Sequence, residues 1–168
     1  MARRPSRPVH RPTGLVESAL VIGTPLVVGG LGTIWTARAI PGWYRTLEKP
    51  PWNPPDWIFG PVWTALYVLM GIALLQIWRL DRNRPEVRLA LALFAVQLLL
   101  NLGWSWVFFG RRRTDLALIE ILALLLAIGA TVASFGRLRR SAALLLLPYL
   151  AWTAFATLLN ADIVRRNG

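Results

Sequence analysis

The side chains best equipped for chemistry in this chain are rings and amides that recur at helical spacing inside apolar sequence. In "QLLLNLGWSWVFFG", Gln97, Asn101, Trp104 and Phe108 fall at offsets 0, 4, 7 and 11, which is one face of a helix. In "PYLAWTAFATLLN", Tyr149, Trp152, Ala156 and Asn160 fall at 0, 3, 7 and 11, again one face. Trp63, Tyr67 and Met70 repeat the pattern at 0, 4 and 7. Lipid offers amides and phenols no partner, so at mid-depth such groups turn inward. Taken singly, each is equally explained as a bridge between neighbouring helices or as an anchor at the membrane surface. Trp57, Trp78 and Trp106 read as such anchors. Three inward faces that carry both rings and amides point instead to a cavity for a flat, largely apolar ligand.

Conventional catalysis has little to work with. There is no cysteine and only one histidine, His10, so thiolate and histidine metal sites are excluded. No Ser-His-Asp set, no paired carboxylates on one face and no phosphate-cradling glycine loop occurs. No metal or resident cofactor is expected. Any reaction would draw its reactivity from the ligand, with aromatic side chains as partners.

The elements that carry these faces are long. Uncharged runs span Ser18–Ala37, Trp57–Trp78, Leu89–Gly110 and Ser141–Ala161, and Leu116–Gly136 is interrupted only by Glu120. Each is about 20 residues, enough to cross a bilayer at 1.5 Å per residue. The expected fold is an all-α integral membrane protein, a bundle of five transmembrane helices near 15–37, 57–80, 87–110, 115–136 and 141–164. Residues 1–14, rich in Arg and Pro, read as a disordered basic tail, and 15–168 as a single membrane domain. The basic start resembles a signal-peptide n-region. The run behind it is too long for such a peptide and no cleavage signal follows, so it reads as retained.

A net charge of +11 is of the kind that suits nucleic acid, but nearly all 19 basic residues lie outside the runs. That distribution suits loops at an anionic bilayer surface, and no nucleic-acid partner is expected. The tail with the second and fourth loops holds eleven Lys and Arg, the other loops and C-terminus eight, which favours a cytoplasmic N-terminus. Short connections predict antiparallel neighbours. Glu120, just inside the fourth span, reads as an interior structural carboxyl. Small residues at spacing four, Ala19 with Gly23 and Ala123 with Ala127 and Thr131, permit close helix contact within a bundle or between copies.

The first connection is the exception in length and composition. Its "KPPWNPPDW" carries Pro50, Pro51, Pro54 and Pro55, which restrict themselves and the residues before them. A stiff segment loses little entropy on ordering, and its tryptophans supply apolar surface. It reads as a lid over the aromatic cavity, with an anchor in the headgroups as the competing reading.

"WYRTLEKPPWNPPDWIFGPVWTALY", "QLLLNLGWSWVFFG" and "PYLAWTAFATLLN" together resemble the translocator protein family, also called TspO or the peripheral benzodiazepine receptor. The match runs in order from about Gly23 to Asn167. The resemblance implies a five-helix bundle, usually a homodimer, that binds protoporphyrin IX and haem-related tetrapyrroles. It also implies binding of isoquinoline-carboxamide and benzodiazepine ligands. Carried over by motif, Trp63, Asn101, Trp104, Trp152 and Ala156 line the pocket, with Tyr44 and Pro54 from the loop. The inward faces add Tyr67 and Tyr149. Some bacterial members are described as degrading protoporphyrin in light, which makes Trp63 and Trp152 the candidate redox partners. The family's cholesterol-recognition pattern needs an aromatic residue where "LLNADIVRR" has Ala161 and Asp162, so specific cholesterol binding is not expected. A bacterial-type, multi-pass cell-membrane protein fits the Arg-rich, cysteine-free chain. Its functional readings are a tetrapyrrole sensor or regulator with or without photo-oxidative degradation, a porphyrin transporter, or a structural membrane protein.

Overall fold

The computed structural model describes residues 13–168. Residues 1–12, and with them most of the expected tail, lie outside the described residues. Five long helices are present, and no strand occurs among the described residues: α1 (Leu15–Ala39), α3 (Asp56–Trp78), α4 (Pro85–Ser105), α5 (Thr114–Leu138) and α6 (Arg140–Asn167). A short helix, α2 (Trp43–Thr46), lies inside the first connection, and α4 continues into a π-helical turn, Trp106–Gly110. All five long elements are apolar and long enough to cross a membrane.

Local sequence explains the boundaries. Ile40 keeps helical angles and its N–H bonds to the Thr36 carbonyl, and α1 stops there because Pro41 has no N–H to continue it. Pro54 and Pro55 keep the chain extended until α3 begins at Asp56, whose carboxylate sits where the helix dipole favours negative charge. Pro85 opens α4 at the first helical position, where its missing N–H costs nothing. After the π turn, Arg112 adopts φ 55°, and this left-handed residue reverses the chain into α5. Pro25, Pro61 and Pro148 lie within helices, as membrane spans tolerate.

The helices form a circuit in which α1 packs on α3, α3 on α6, α6 on α5, α5 on α4, and α4 back on α1. Short connections do make neighbours of α4 with α5 and of α5 with α6. They do not do so for α3 and α4, which meet only narrowly because α1 lies between them on that side. The α3–α4 connection therefore runs past the start of α1 and is fastened there. The Trp78 indole donates to Glu17 at 2.7 Å, and Arg79 donates to Thr13 at 2.9 Å and to Ser18 at 3.3 Å. Trp78, read as a surface anchor, also carries the Arg82 guanidinium over its ring at 4.4 Å.

The main core is built by residues such as Met70, Ile77, Phe94, Ile128, Phe135 and Leu146, all nearly inaccessible. A smaller cluster around Tyr44, Phe108, Leu159 and Ile163 lies at the end nearest the first connection. Leucines such as Leu20, Leu99, Leu126 and Leu158 face outward on their spans, as lipid allows. Glu120 turns its carboxyl onto Gly103 of α4, where a side chain would collide with it. Its Oε2 is buried without a partner and no ion pair reaches it among the described residues, so it acts from inside the bundle and not through a loop Arg.

The α1–α3 contact depends on missing side chains. A Cβ at Gly71 would overlap the backbone of Ile22, and one at Gly29 would overlap the Tyr67 ring. Backbone cannot yield as a flexible side chain can, so overpacking there costs about 1–3 kcal/mol. Gly71→Ala should lower the thermal midpoint of the detergent-solubilised protein by several degrees. Gly23→Ala, at a site with open space around it, should leave the midpoint unchanged or raise it.

Candidate functional site

The circuit encloses a cavity of about 530 Å³ in the half of the bundle beneath the first connection. That lies within the range of roughly 300–1,000 Å³ used by small-molecule sites. Nine aromatic residues border it. Trp63 stacks on Tyr67 at 5.5 Å, and Phe59 meets Trp152 edge-on at 6.1 Å. On the opposite side Trp104 stacks on Phe108 at 5.1 Å. The π turn widens the helix by one residue, which brings Phe109 as well as Phe108 to the cavity. Much of the remaining wall belongs to α1, where Gly29, Gly30 and Gly32 let the backbone itself form the surface. Thr33 and Thr36 also border it, but their hydroxyls donate to the carbonyls of Gly30 and Gly32, so this wall offers a ligand little polarity.

Behind the rings lies a hydrogen-bonded support. The Tyr67 hydroxyl donates to Asn101 Oδ1 at 2.7 Å, and Asn101 Nδ2 donates to the Tyr149 hydroxyl at 3.1 Å. One amide thus joins α3, α4 and α6. A second amide works similarly: the Trp104 indole donates to Asn160 Oδ1 at 3.3 Å, and Asn160 Nδ2 donates to the Thr114 carbonyl at 2.8 Å. The ring of Trp104 is thereby oriented against the cavity. Gln97, buried on the same face as Asn101, finds no partner for either amide atom among the described residues.

The first connection closes the top of the cavity. Tyr44 reaches down from α2 to border it and donates to Asn53 at 3.0 Å, while Lys49 donates to the Tyr44 carbonyl at 2.7 Å. Asn167 of α6 makes a reciprocal pair with the backbone of Glu48: it accepts from the N–H and donates to the carbonyl, both at 2.9 Å. Trp52 meets Phe155 of α6 edge-on at 5.7 Å. The segment is folded onto the bundle as a roof. Burial, with the nearby Asp56 charge, pushes the Tyr44 phenol up to about 12.

Of the residues singled out in the sequence, Tyr44, Trp63, Tyr67, Trp104, Phe108, Trp152, Ala156 and Asn160 border this one cavity. Asn101 and Tyr149 do not; they stand behind it as support. Pro54 lies off the lining and shapes the approach to α3. Trp57, read as a surface anchor, is exposed and yet borders the cavity at its mouth. Sequence reasoning missed the whole α1 wall, whose only signal was the run "VVGGLGT". It also missed Asp56, the one carboxylate of the lining, which no Lys, Arg or His joins.

Comparison with known proteins finds relatives over most of the chain. The model of the TspO/MBR family matches residues 21–166. The tryptophan-rich protein TspO of Chlorobaculum tepidum is 45% identical over 153 residues, covering 91% of this chain and 97% of that protein. The translocator protein of Bos taurus is 41% identical over 150 residues, 86% of this chain and 89% of its own. A tryptophan-rich sensory protein of Cereibacter sphaeroides is 41% identical over 125 residues, 74% of this chain and 77% of that protein.

The roof gives a pH signature. A phenol whose folded pKa lies above the ordinary value of 10 favours the closed form fully below pH 10, and this contribution is lost as pH rises through about 12. Alkaline titration of phenolate absorbance should show a component with a midpoint near 12 that Tyr44→Phe removes. Limited proteolysis within residues 40–55 should accelerate over the same interval in the unsubstituted protein.

Proposed function

This chain belongs to the TspO/MBR family and is a multi-pass integral membrane protein, and from that premise we propose that it binds a tetrapyrrole of the protoporphyrin IX or haem-related class as a sensor or regulator. The observation that carries the reading is the ring-walled cavity of about 530 Å³, roofed by a stiff loop and almost free of charge. Such a space excludes water and offers flat faces at several angles, which suits a large conjugated ring better than a polar metabolite. A relative named a sensory protein supports regulation in place of bulk transport. The same cavity would take isoquinoline-carboxamide and benzodiazepine-type drugs, and the protein would act as a homodimer in the cell membrane of a bacterium. Specific cholesterol recognition is not part of this reading, because the end of α6 carries Ala161 and Asp162 in place of an aromatic residue.

Trp63 on α3 and Trp152 on α6, two of the four tryptophans that border the cavity, are the proposed partners of a bound ring. In light and dioxygen a bound porphyrin generates reactive oxygen. Dioxygen is the oxidant: its atoms add to the porphyrin ring, which opens, while these indoles give an electron to the excited ring, recover it as the product forms, and trap reactive species that escape. The protein contributes position and electron-rich rings, and needs no resident cofactor.

The test is a dark titration of purified protein with protoporphyrin IX, followed by Trp fluorescence quenching, then illumination against a protein-free control. Saturable micromolar quenching is expected, with protein-dependent loss of porphyrin absorbance in light. Trp63→Phe combined with Trp152→Phe should weaken binding by about tenfold, the equivalent of one to two aromatic contacts, and abolish the light-dependent loss. Undiminished loss in the double variant would remove the indole mechanism while keeping the binding reading. Vectorial uptake by sealed vesicles would replace sensing by transport, and no saturable quenching would overturn the tetrapyrrole reading.

A further inference from the structure

We propose that Asp56 is a charge filter at the mouth of the cavity, which disfavours anionic ligand groups and selects uncharged or cationic flat rings. For the tetrapyrrole class this rests on the reading above; the charge rule itself does not. Asp56 is the first residue of α3, held in place by the two prolines before it, and it borders the cavity together with Trp57 and Tyr44. Among the described residues its carboxylate has no ion pair and no side-chain hydrogen bond. Its charge reaches across the roof, since it contributes to holding the Tyr44 phenol neutral.

Nothing in the lining offsets that charge. No basic residue borders the cavity, and Arg38, Arg45 and Arg112, at this end of the bundle, stand outside its lining. Lys49 is bonded to the carbonyls of Tyr44 and Leu47, and Arg113 is paired with Asp115. Arg165 and Arg166 are paired with Asp162, and Arg111 lies over the Trp106 ring. The start of α3 would otherwise supply a partial positive pole to the cavity, and Asp56 occupies that position itself. Deeper in, the walls are rings and glycine backbone, where a carboxylate would be desolvated without a partner. A ligand acid therefore meets repulsion at the mouth and desolvation inside. A neutral or cationic group meets neither. The favoured tetrapyrrole is one whose acid groups are esterified, amidated or otherwise neutralised.

Two ligand pairs isolate the charge, each sharing one ring system. Protoporphyrin IX is compared with its dimethyl ester, and anilinonaphthalene sulfonate with its uncharged parent phenylnaphthylamine. Both are read by saturable quenching of protein Trp fluorescence against a micelle blank. In each pair the neutral member should bind about tenfold tighter, the size expected of one like-charge contact in a partly solvated site. Asp56→Asn should cut the anion-to-neutral Kd ratio to about two- or threefold, and Asp56→Glu should keep it. With the unsubstituted protein alone, a trimethylammonium analogue of the naphthyl probe should bind at least as tightly as the neutral one. An anion that binds tightest, or a ratio unchanged in folded Asp56→Asn, overturns the filter. If neither porphyrin binds while the naphthyl pair obeys the ratio, the filter stands and the tetrapyrrole reading falls. If both porphyrins bind with a ratio indifferent to Asp56, the reverse holds.

Discussion

A polar atom inside a bilayer must find its partner within the protein, and Asn101 shows how much structure one such requirement can organise. Its amide accepts from Tyr67 and donates to Tyr149, so three helices share a single fixed point. Hydrogen bonds of this kind contribute only about 0.6–2 kcal/mol each in membranes. Their larger effect is on registry, because shifting any of the three helices by one turn would leave buried hydroxyls without partners. With that point fixed, Trp63 and Tyr67 on α3 and Trp152 on α6 all border one cavity. The second amide, Asn160, repeats the arrangement nearer the roof and sets the plane of Trp104.

Stiffness and closeness complement each other around the cavity. The roof is stiff because its prolines leave few conformations to lose, and few polar contacts hold it down. The α1 wall achieves the opposite condition: glycine allows backbone to approach rings directly, at the cost of presenting no side chain of its own. The result is a site whose shape comes from backbone on one side and from aromatic faces on the other. Its one charged side chain is Asp56, at the start of α3.

The sequence made some of this architecture legible and hid the rest for definite reasons. Five spans were readable because uncharged stretches of bilayer length leave no other stable fold, and the inward faces of α3, α4 and α6 followed from helical spacing. Periodicity identifies a face but not a depth, so Asn101 and Tyr149 were grouped with residues they support from behind. The glycines of α1 were silent because a residue without a side chain gives no periodic signal. Trp57 sits at a span end, where an anchor and a cavity rim have the same composition. The circuit of helices was hidden because connection length limits which helices can be neighbours without deciding which are; the α3–α4 connection passes α1 without pairing its helices closely. The π turn after Ser105 has no signature in its residues that would distinguish it from ordinary helix.

The clasp between Glu48 and Asn167 joins positions 119 residues apart, the second of them in the last turn of the last helix. During vectorial insertion from the ribosome, α1, the roof segment and α3 enter the membrane long before that clasp can exist. The wall that α6 supplies, with Trp152, is missing for the same interval. A nascent chain therefore passes through a stage in which half of the ring-lined space is open sideways to lipid and the roof is unfastened. Completion of the binding site is an event in biogenesis, timed by the arrival of α6, and a chain stalled before that point would hold an aromatic surface without a container.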